Sequence, residues 1–319
     1  MKNYLLYFFI LLLWTSLIPF TPVVINHIEN NEVITETEEM YTVLLPNGET
    51  AEMTLDEYVL GVMLTEMPAS YEKQALFAQA VCIRSYAVYI LEQAKHENND
   101  SPHPDADFCS NPDCCRRYIT YDALKALAGD DNATERYNAM KDAVYETSGE
   151  ILTYNGKTAM TLYHISSPAR TESYENVFNI AVPYLTAVNN VDESGFIYYE
   201  KEVKITFEEL EKLLMSNGYD YSYSEGEQAF ATLNENKRSN YVMFGSTEIT
   251  AARFAELVGL NSNCIEITKN SDGYTICSTG FGSGLGMSQY GANILALQGK
   301  TYKEILSFYF TDTQLVKRK

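Results

Sequence analysis

The hydrophobic and polar positions divide the chain into blocks with different periods. Residues 4–25, YLLYFFILLLWTSLIPFTPVVI, are an apolar run long enough to cross a bilayer. One lysine, Lys2, precedes it and the acidic HIENNEVITETEEM follows, so the positive-inside rule puts the N-terminus in the cytoplasm and the rest outside. With no small-x-small cleavage site near residues 18–26, the run reads as an uncleaved anchor over 1–26, followed by an acidic stalk over 27–40. YTVLL and TAEMT, on either side of the turn PNGE, predict a strand pair. TLDEYVLGVMLTEM then predicts a helix opened by Thr54, with Asp56 and Glu57 in its first turn and Pro68 as its stop. After Pro68, EKQALFAQAVCIRSYAVYILEQAK predicts a long helix whose stripe of Phe77, Ala80, Val81, Val88 and Leu91 includes Arg84.

Further along, HENNDSPHPDADFCSNPDCCRRY is an irregular loop, residues 132–148 are helical, and EILTYNGKTAMTLYHISS is a hairpin turning at Asn155-Gly156. Residues of about 199–262 carry strand and helix signals without a chemical motif and read as an accessory lobe on a body spanning 41–319. The chain ends in strands, the glycine-rich GFGSGLGMSQYGAN, a helix and TYKEILSFYF. Without regular strand–helix alternation, the fold class is α+β, with mixed helices and antiparallel strands.

The formal charge of −20 over 319 residues excludes a nucleic-acid surface and electrostatic adhesion to anionic lipid or wall polymers. The 25 tyrosines against one tryptophan suit both core packing and stacking on sugar rings. Six cysteines in an exported chain leave disulfides and metal ligation open. Cys82 reads as a small apolar group in its helix. Cys264 and Cys277 face each other if the hairpin between them turns at Asn270-Ser271, and do not if it turns at Asp272-Gly273.

Three features carry candidate chemistry. Glu66 shares a stripe with Leu55, Val59 and Val62, yet sits in the last helical turn, where desolvation and the helix dipole both raise a carboxyl pKa. A carboxylic acid kept protonated near neutrality is what a general acid needs. Arg84 on an apolar stripe needs an acceptor, either Glu66 itself or a substrate group. His103, Cys109, Cys114 and Cys115 lie within a dozen residues of one another and have the reach to clamp a zinc ion, with a disulfide from Cys109 to Cys114 or Cys115 as the alternative. The glycine-rich run follows no evident βαβ strand, which excludes dinucleotide binding; such a run lets backbone pass close to a ligand or another loop.

EYVLGVMLTEMP with ALFAQAVCIRSYA, LYHISSPARTES with PYLTAV, and TGFGSGLGMSQYGA resemble, in order, the opening, middle and closing blocks of the stage II sporulation protein D family, which includes the amidase enhancers. That resemblance implies a membrane-anchored lytic transglycosylase cutting peptidoglycan glycan strands, preferably peptide-free ones, during forespore engulfment. It implies Glu66 as catalytic acid/base with Arg84 as its partner, and Ser166, Ser167, Gln289 and Tyr290 as substrate-binding residues. It further implies His103, Cys109 and Cys115 as ligands of a structural zinc. A peptidoglycan amidase of the engulfment machinery and that amidase's membrane anchor protein are the implied partners. A non-cutting glycan binder or amidase enhancer is the alternative within the family. The chain departs from the family pattern at Pro168 and Ala169, which stand in place of glycines, and at Ser283, in place of a histidine.

Overall fold

The strand pair and first helix form where the capping chemistry puts them. Strands β1 (Met40–Leu44) and β2 (Thr50–Thr54) pair antiparallel, and α1 (Leu55–Glu66) starts at Thr54, whose side chain accepts from the Glu57 amide while Glu57 reaches back to the Thr54 amide. Next come α2 (Lys73–Ala94), β3 (Phe108–Cys109), α3 (Tyr121–Ala128), α4 (Asp130–Glu146), β4 (Glu150–Tyr154), β5 (Lys157–Thr158), β6 (Tyr163–His164) and α5 (Tyr174–Phe178). Then follow β7 (Glu200–Thr206), α6 (Phe207–Ser216), β8 (Ala229–Leu233), β9 (Ser239–Phe244), β10 (Thr247–Thr250), α7 (Ala251–Val258), β11 (Ile265–Lys269) and β12 (Gly273–Thr279). The chain closes with β13 (Met287–Ser288), α8 (Gln289–Leu297), α9 (Tyr302–Tyr309) and β14 (Gln314–Lys317). This computed structural model describes residues 39–94, 103–112 and 114–318. The expected anchor and nearly all of the stalk lie outside the described residues.

The α+β class holds: α1, α4, α8 and α9 pack around α2, and the strands among the described residues form four three-stranded sheets and one two-stranded sheet. Among the described residues one helix, α2, is long and apolar enough to span a bilayer, but 72% of its apolar window is buried against α1, α4, β4, α8 and α9, so it is the core helix of this body. α1 is buried on all sides from Tyr58 to Leu64, not along one stripe. Gly61 is required there, because a Cβ would run into the Tyr118 ring.

The β4–β5 turn falls on Asn155 and Gly156, both at positive φ (49° and 75°), as a two-residue hairpin demands. In contrast, β11 and β12 turn through Asn270–Gly273, where the Asn270 amide donates to the Gly273 carbonyl. Cys277 therefore faces Glu266, not Cys264, and the two thiols do not bridge. A second core, built from Leu210, Val242, Phe244, Phe254, Tyr274 and Ile276, shows that the accessory lobe continues past residue 262 through the β11–β12 hairpin to β7's partner strand.

Arg84 is fully buried and does not reach for Glu66. Its Nε donates to Asp56 Oδ1 at 2.8 Å, Nη2 to the Val144 carbonyl at 2.9 Å, and Nη1 to Thr147 Oγ1 and the Glu150 carbonyl. The guanidinium thus ties the first turn of α1 to the last turn of α4, where its charge also complements the helix dipole. Asp56 and Glu66 are ten residues apart on α1, which puts Arg84 about 15 Å along the helix axis from Glu66. Because Arg84 is fully buried, Asp56→Ala leaves an uncompensated cation and is expected to cost about 3 kcal/mol or more in urea denaturation. A loss below about 1 kcal/mol would mark it as an ordinary surface pair.

Candidate active site

Glu66 ends α1, and Met67 leaves the helix in extended backbone (φ −124°, ψ 149°) ahead of Pro68. Burial pushes its carboxyl above the ordinary range. The positive charge of Arg116 opposes that shift most strongly, then Tyr163, Gln289 and Arg117. Arg116 and Arg117 come directly after the cysteine pair. They are held against α1 by Thr65 Oγ1, which donates to the Arg117 carbonyl at 3.1 Å, and by the Ile119 amide, which donates to the Gly61 carbonyl. The Arg116 guanidinium lies over the rings of Tyr86 (4.4 Å) and Tyr163 (4.7 Å). The cation beside Glu66 is therefore Arg116; Arg84, expected there, is committed elsewhere.

Tyr163 and Gln289 meet at Glu66 because β6 and β13 pair in parallel, Met287 opposite Tyr163 and Ser288 opposite His164. The Tyr163 hydroxyl and the Gln289 side chain both turn to the Glu66 carboxyl and oppose the upward shift that burial imposes on it, while Arg116 Nε is buried beside them. Buried donors are nearly always paired. Here the acceptor within their reach is the Glu66 carboxyl itself. Beside it, Tyr290 packs against Tyr71 (ring centroids 6.2 Å apart) and Phe196 (5.1 Å), and Phe196 against Tyr198, which makes an aromatic rim.

Ser166 and Ser167 do not line an open path. Both are fully buried, with Ser167 Oγ accepting from Arg238 Nη2 at 2.9 Å and donating to the Arg170 carbonyl. They belong to the wall behind the site. The glycine-rich run packs on that wall: Gly280, Gly282, Gly284 and Gly286 all have positive φ, and a Cβ at Gly284 or Gly286 would meet Arg238 or the Leu162 backbone. What the glycines approach is another loop. Pro168 abuts Gly280, and Ser283 is exposed with its hydroxyl accepting from the Leu285 amide. His164, buried in the same wall, is pushed down to about 3 by burial and by the Arg238 charge, so it stays neutral.

The loop after α2 gathers His103, Cys109, Cys114 and Cys115, with ligand atoms all within 4.8 Å of one another. Cys115 Sγ lies 3.2 Å from His103 Nε2, and His103 Nδ1 lies 2.8 Å from the Ala106 carbonyl, which favours the tautomer whose Nε2 lone pair faces the thiols. Three thiols and an imidazole are donors suited to a tetrahedral metal ion, and no cysteine forms a disulfide. The three expected ligands come together, and Cys114 joins them.

A family model described as "Stage II sporulation protein" (SpoIID) matches residues 47–154, which take in Glu66, the cysteine cluster and Arg116. Stage II sporulation protein D of Bacillus subtilis (strain 168) is 31% identical over 269 residues, covering 84% of this chain and 76% of that protein. The chain belongs to the stage II sporulation protein D family. The protein of the same name from Bacillus amyloliquefaciens is 28% identical over 83% of this chain and 74% of its own length. The "Amidase enhancer" of Bacillus subtilis is 23% identical over 80% of this chain but only 40% of its own length. A sporulation protein is the functional setting of this site.

Because burial raises the Glu66 pKa, the native state holds that proton more tightly than the unfolded chain does. Stability then falls as pH rises from the ordinary carboxylate value through the raised one, and stays lower above it. Glu66→Gln is expected to melt higher than the wild type at pH 7 but not at pH 4. Equal melting temperatures at both pH values would show that the carboxyl is not strained by its surroundings.

Proposed function

We propose that this member of the family is a membrane-anchored lytic transglycosylase acting on peptidoglycan glycan strands outside the membrane during sporulation. The observation that carries the reading is the desolvated Glu66 carboxyl at the end of a rigid helix, ringed by Arg116, Tyr163 and Gln289. The groups acting most strongly on it are two arginines, a tyrosine and a glutamine, with no carboxylate among them. A two-carboxylate glycosidase needs a second acid to deliver water or act as nucleophile. A single acid suffices when the nucleophile is the muramic acid's own 6-hydroxyl.

In that reaction Glu66 gives its proton to the glycosidic oxygen as the bond to C1 breaks. The 6-hydroxyl then attacks C1, and its proton returns to the Glu66 carboxylate, closing a 1,6-anhydro ring. Tyr163, Gln289 and Arg116 stabilise the carboxylate in the interval, and the tethered nucleophile supplies part of the rate enhancement. Tyr290 and the rim around it offer faces for sugar rings.

The anchor over residues 1–26 and the extracytoplasmic body complete this reading, with a peptidoglycan amidase of the engulfment machinery and its membrane anchor protein as partners. A second reading, a glycan binder that enhances an amidase without cutting, is favoured by Pro168, Ala169 and Ser283 and by the similarity to an amidase enhancer. The test is digestion of purified glycan strands, with and without stem peptides, by the full chain in detergent. Anhydro-muramyl products that vanish in Glu66→Gln support the enzyme; strand binding with no products from either protein supports the second reading.

The cluster of His103, Cys109, Cys114 and Cys115 fits a structural Zn2+, which would cross-link the loop to β3 with all four positions taken by the protein. About one zinc per chain, lost together with several degrees of melting temperature in Cys109→Ser, is expected from metal analysis and calorimetry. A metal-free wild type of unchanged melting temperature would remove zinc from the account.

A further inference from the structure

We propose that Glu193 is a positioning residue that holds Tyr163 and Gln289 in register around Glu66. Glu193 is 1% exposed, in the loop between α5 and β7. Its Oε2 accepts from the Ser167 amide at 2.8 Å and its Oε1 from Asn190 Nδ2. The Ser288 hydroxyl also bears on the carboxylate, and Gly291 in the same segment packs against Glu193 Oε1. These contacts come from the two segments that carry the donors of the site. Ser167 follows Tyr163 closely in the chain. Ser288 immediately precedes Gln289 and caps α8 by accepting from the Gly291 amide at 3.1 Å.

The parallel ladder that sets these segments side by side is only two residues long. A pairing that short is weak by itself. The Glu193 carboxylate joins the two segments behind it, and Asn190 extends the joint to α9 by accepting from the Tyr309 hydroxyl at 2.8 Å and to Ala169 through its own amide. Gly291 makes room for the arrangement, because a Cβ there would strike the Tyr309 hydroxyl and crowd Glu193 Oε1.

The donors to Glu193 are all neutral, and the Arg238 guanidinium acts on it from beyond Ser167. A buried carboxylate held this way contributes little to folding that an amide or apolar side chain would not. What it adds is several acceptor sites on one rigid group, enough to bind both segments at once.

The role in catalysis rests on Glu66 being the glycan acid, and the experiment separates the two. Full-length Glu193→Gln, in detergent, is compared with the wild type by calorimetry, amide hydrogen exchange and the pH profile of strand cleavage. The expected result is a melting temperature within about 4 °C of the wild type. Exchange at Ser167, Tyr290 and Gly291 becomes about tenfold faster, and cleavage falls roughly tenfold to a hundredfold. The limb of the profile set by Glu66 moves to higher pH, since Tyr163 and Gln289 hold that pKa down. A rate that drops equally at every pH, with unchanged exchange at those amides, overturns the proposal. If the wild type cuts no strand, the enzymatic reading fails alone, and the exchange rates still decide whether Glu193 joins the segments. If Glu193→Gln does not fold, Gly291→Ala displaces the same carboxylate with its charge retained and is expected to give the same pattern; unchanged exchange there overturns the proposal as well.

Discussion

The architecture depends on one buried cation. Arg84 has no exposure to water, so every donor of its guanidinium must find an acceptor inside the protein, and it finds them on α1, on the end of α4 and at the start of β4. Ser148 donates to the second oxygen of Asp56, so the carboxylate is held from both sides. With its first turn clamped in this way, α1 is a fixed rod against α2. Glu66 stands at the far end of that rod. Its position is set by a rigid element rather than by a loop.

The rest of the site is assembled from segments far apart in sequence. Tyr163 arrives on a two-residue strand, Gln289 on the first turn of α8, and Arg116 on the loop that leaves the cysteine cluster. The glycine-rich run lets the second of these approach the first. Four residues in left-handed backbone lay residues 280–286 on residues 162–168, with backbone bonds from Ser166 to Phe281 and from Glu172 to Gly284. The accessory lobe reinforces the contact by inserting Arg238 between Gly284 and Ser167. The lobe is thus part of what shapes the wall, although its own core is separate.

Local chemistry was legible in the sequence and long-range partnership was not. Thr54 with Glu57 three residues on, Asn155-Gly156 and Pro68 each act within a turn or two of chain, and each lies where those residues predict. Glu66 was legible because its oddity is local: a carboxylate in the last turn of a buried helix. Arg84 was equally odd, but its acceptor, Asp56, lies on another helix among several acidic residues of similar appearance, so the sequence offered no way to choose. Ser166 and Ser167 resemble exposed polar residues in a loop; only the fold shows them folded inward, away from solvent. Arg116 had one signal, a pair of arginines directly after a pair of cysteines in a strongly acidic chain. Glu193 had none, since VDESGF reads as an ordinary acidic turn.

The cysteine cluster and the acid are not separate features. Cys114 and Cys115 donate their amides to the Asn111 carbonyl, and the next residue is Arg116. The loop therefore leaves the cluster at a fixed point and reaches α1 at another, through Arg117 and Ile119. Arg116 lies between these two anchors, over Tyr86 and Tyr163. Its charge is the strongest influence opposing the desolvation of Glu66. Anything that fixes the cluster fixes the distance over which that charge acts. A site with no catalytic chemistry of its own can in this way set the balance between holding the Glu66 proton and releasing it.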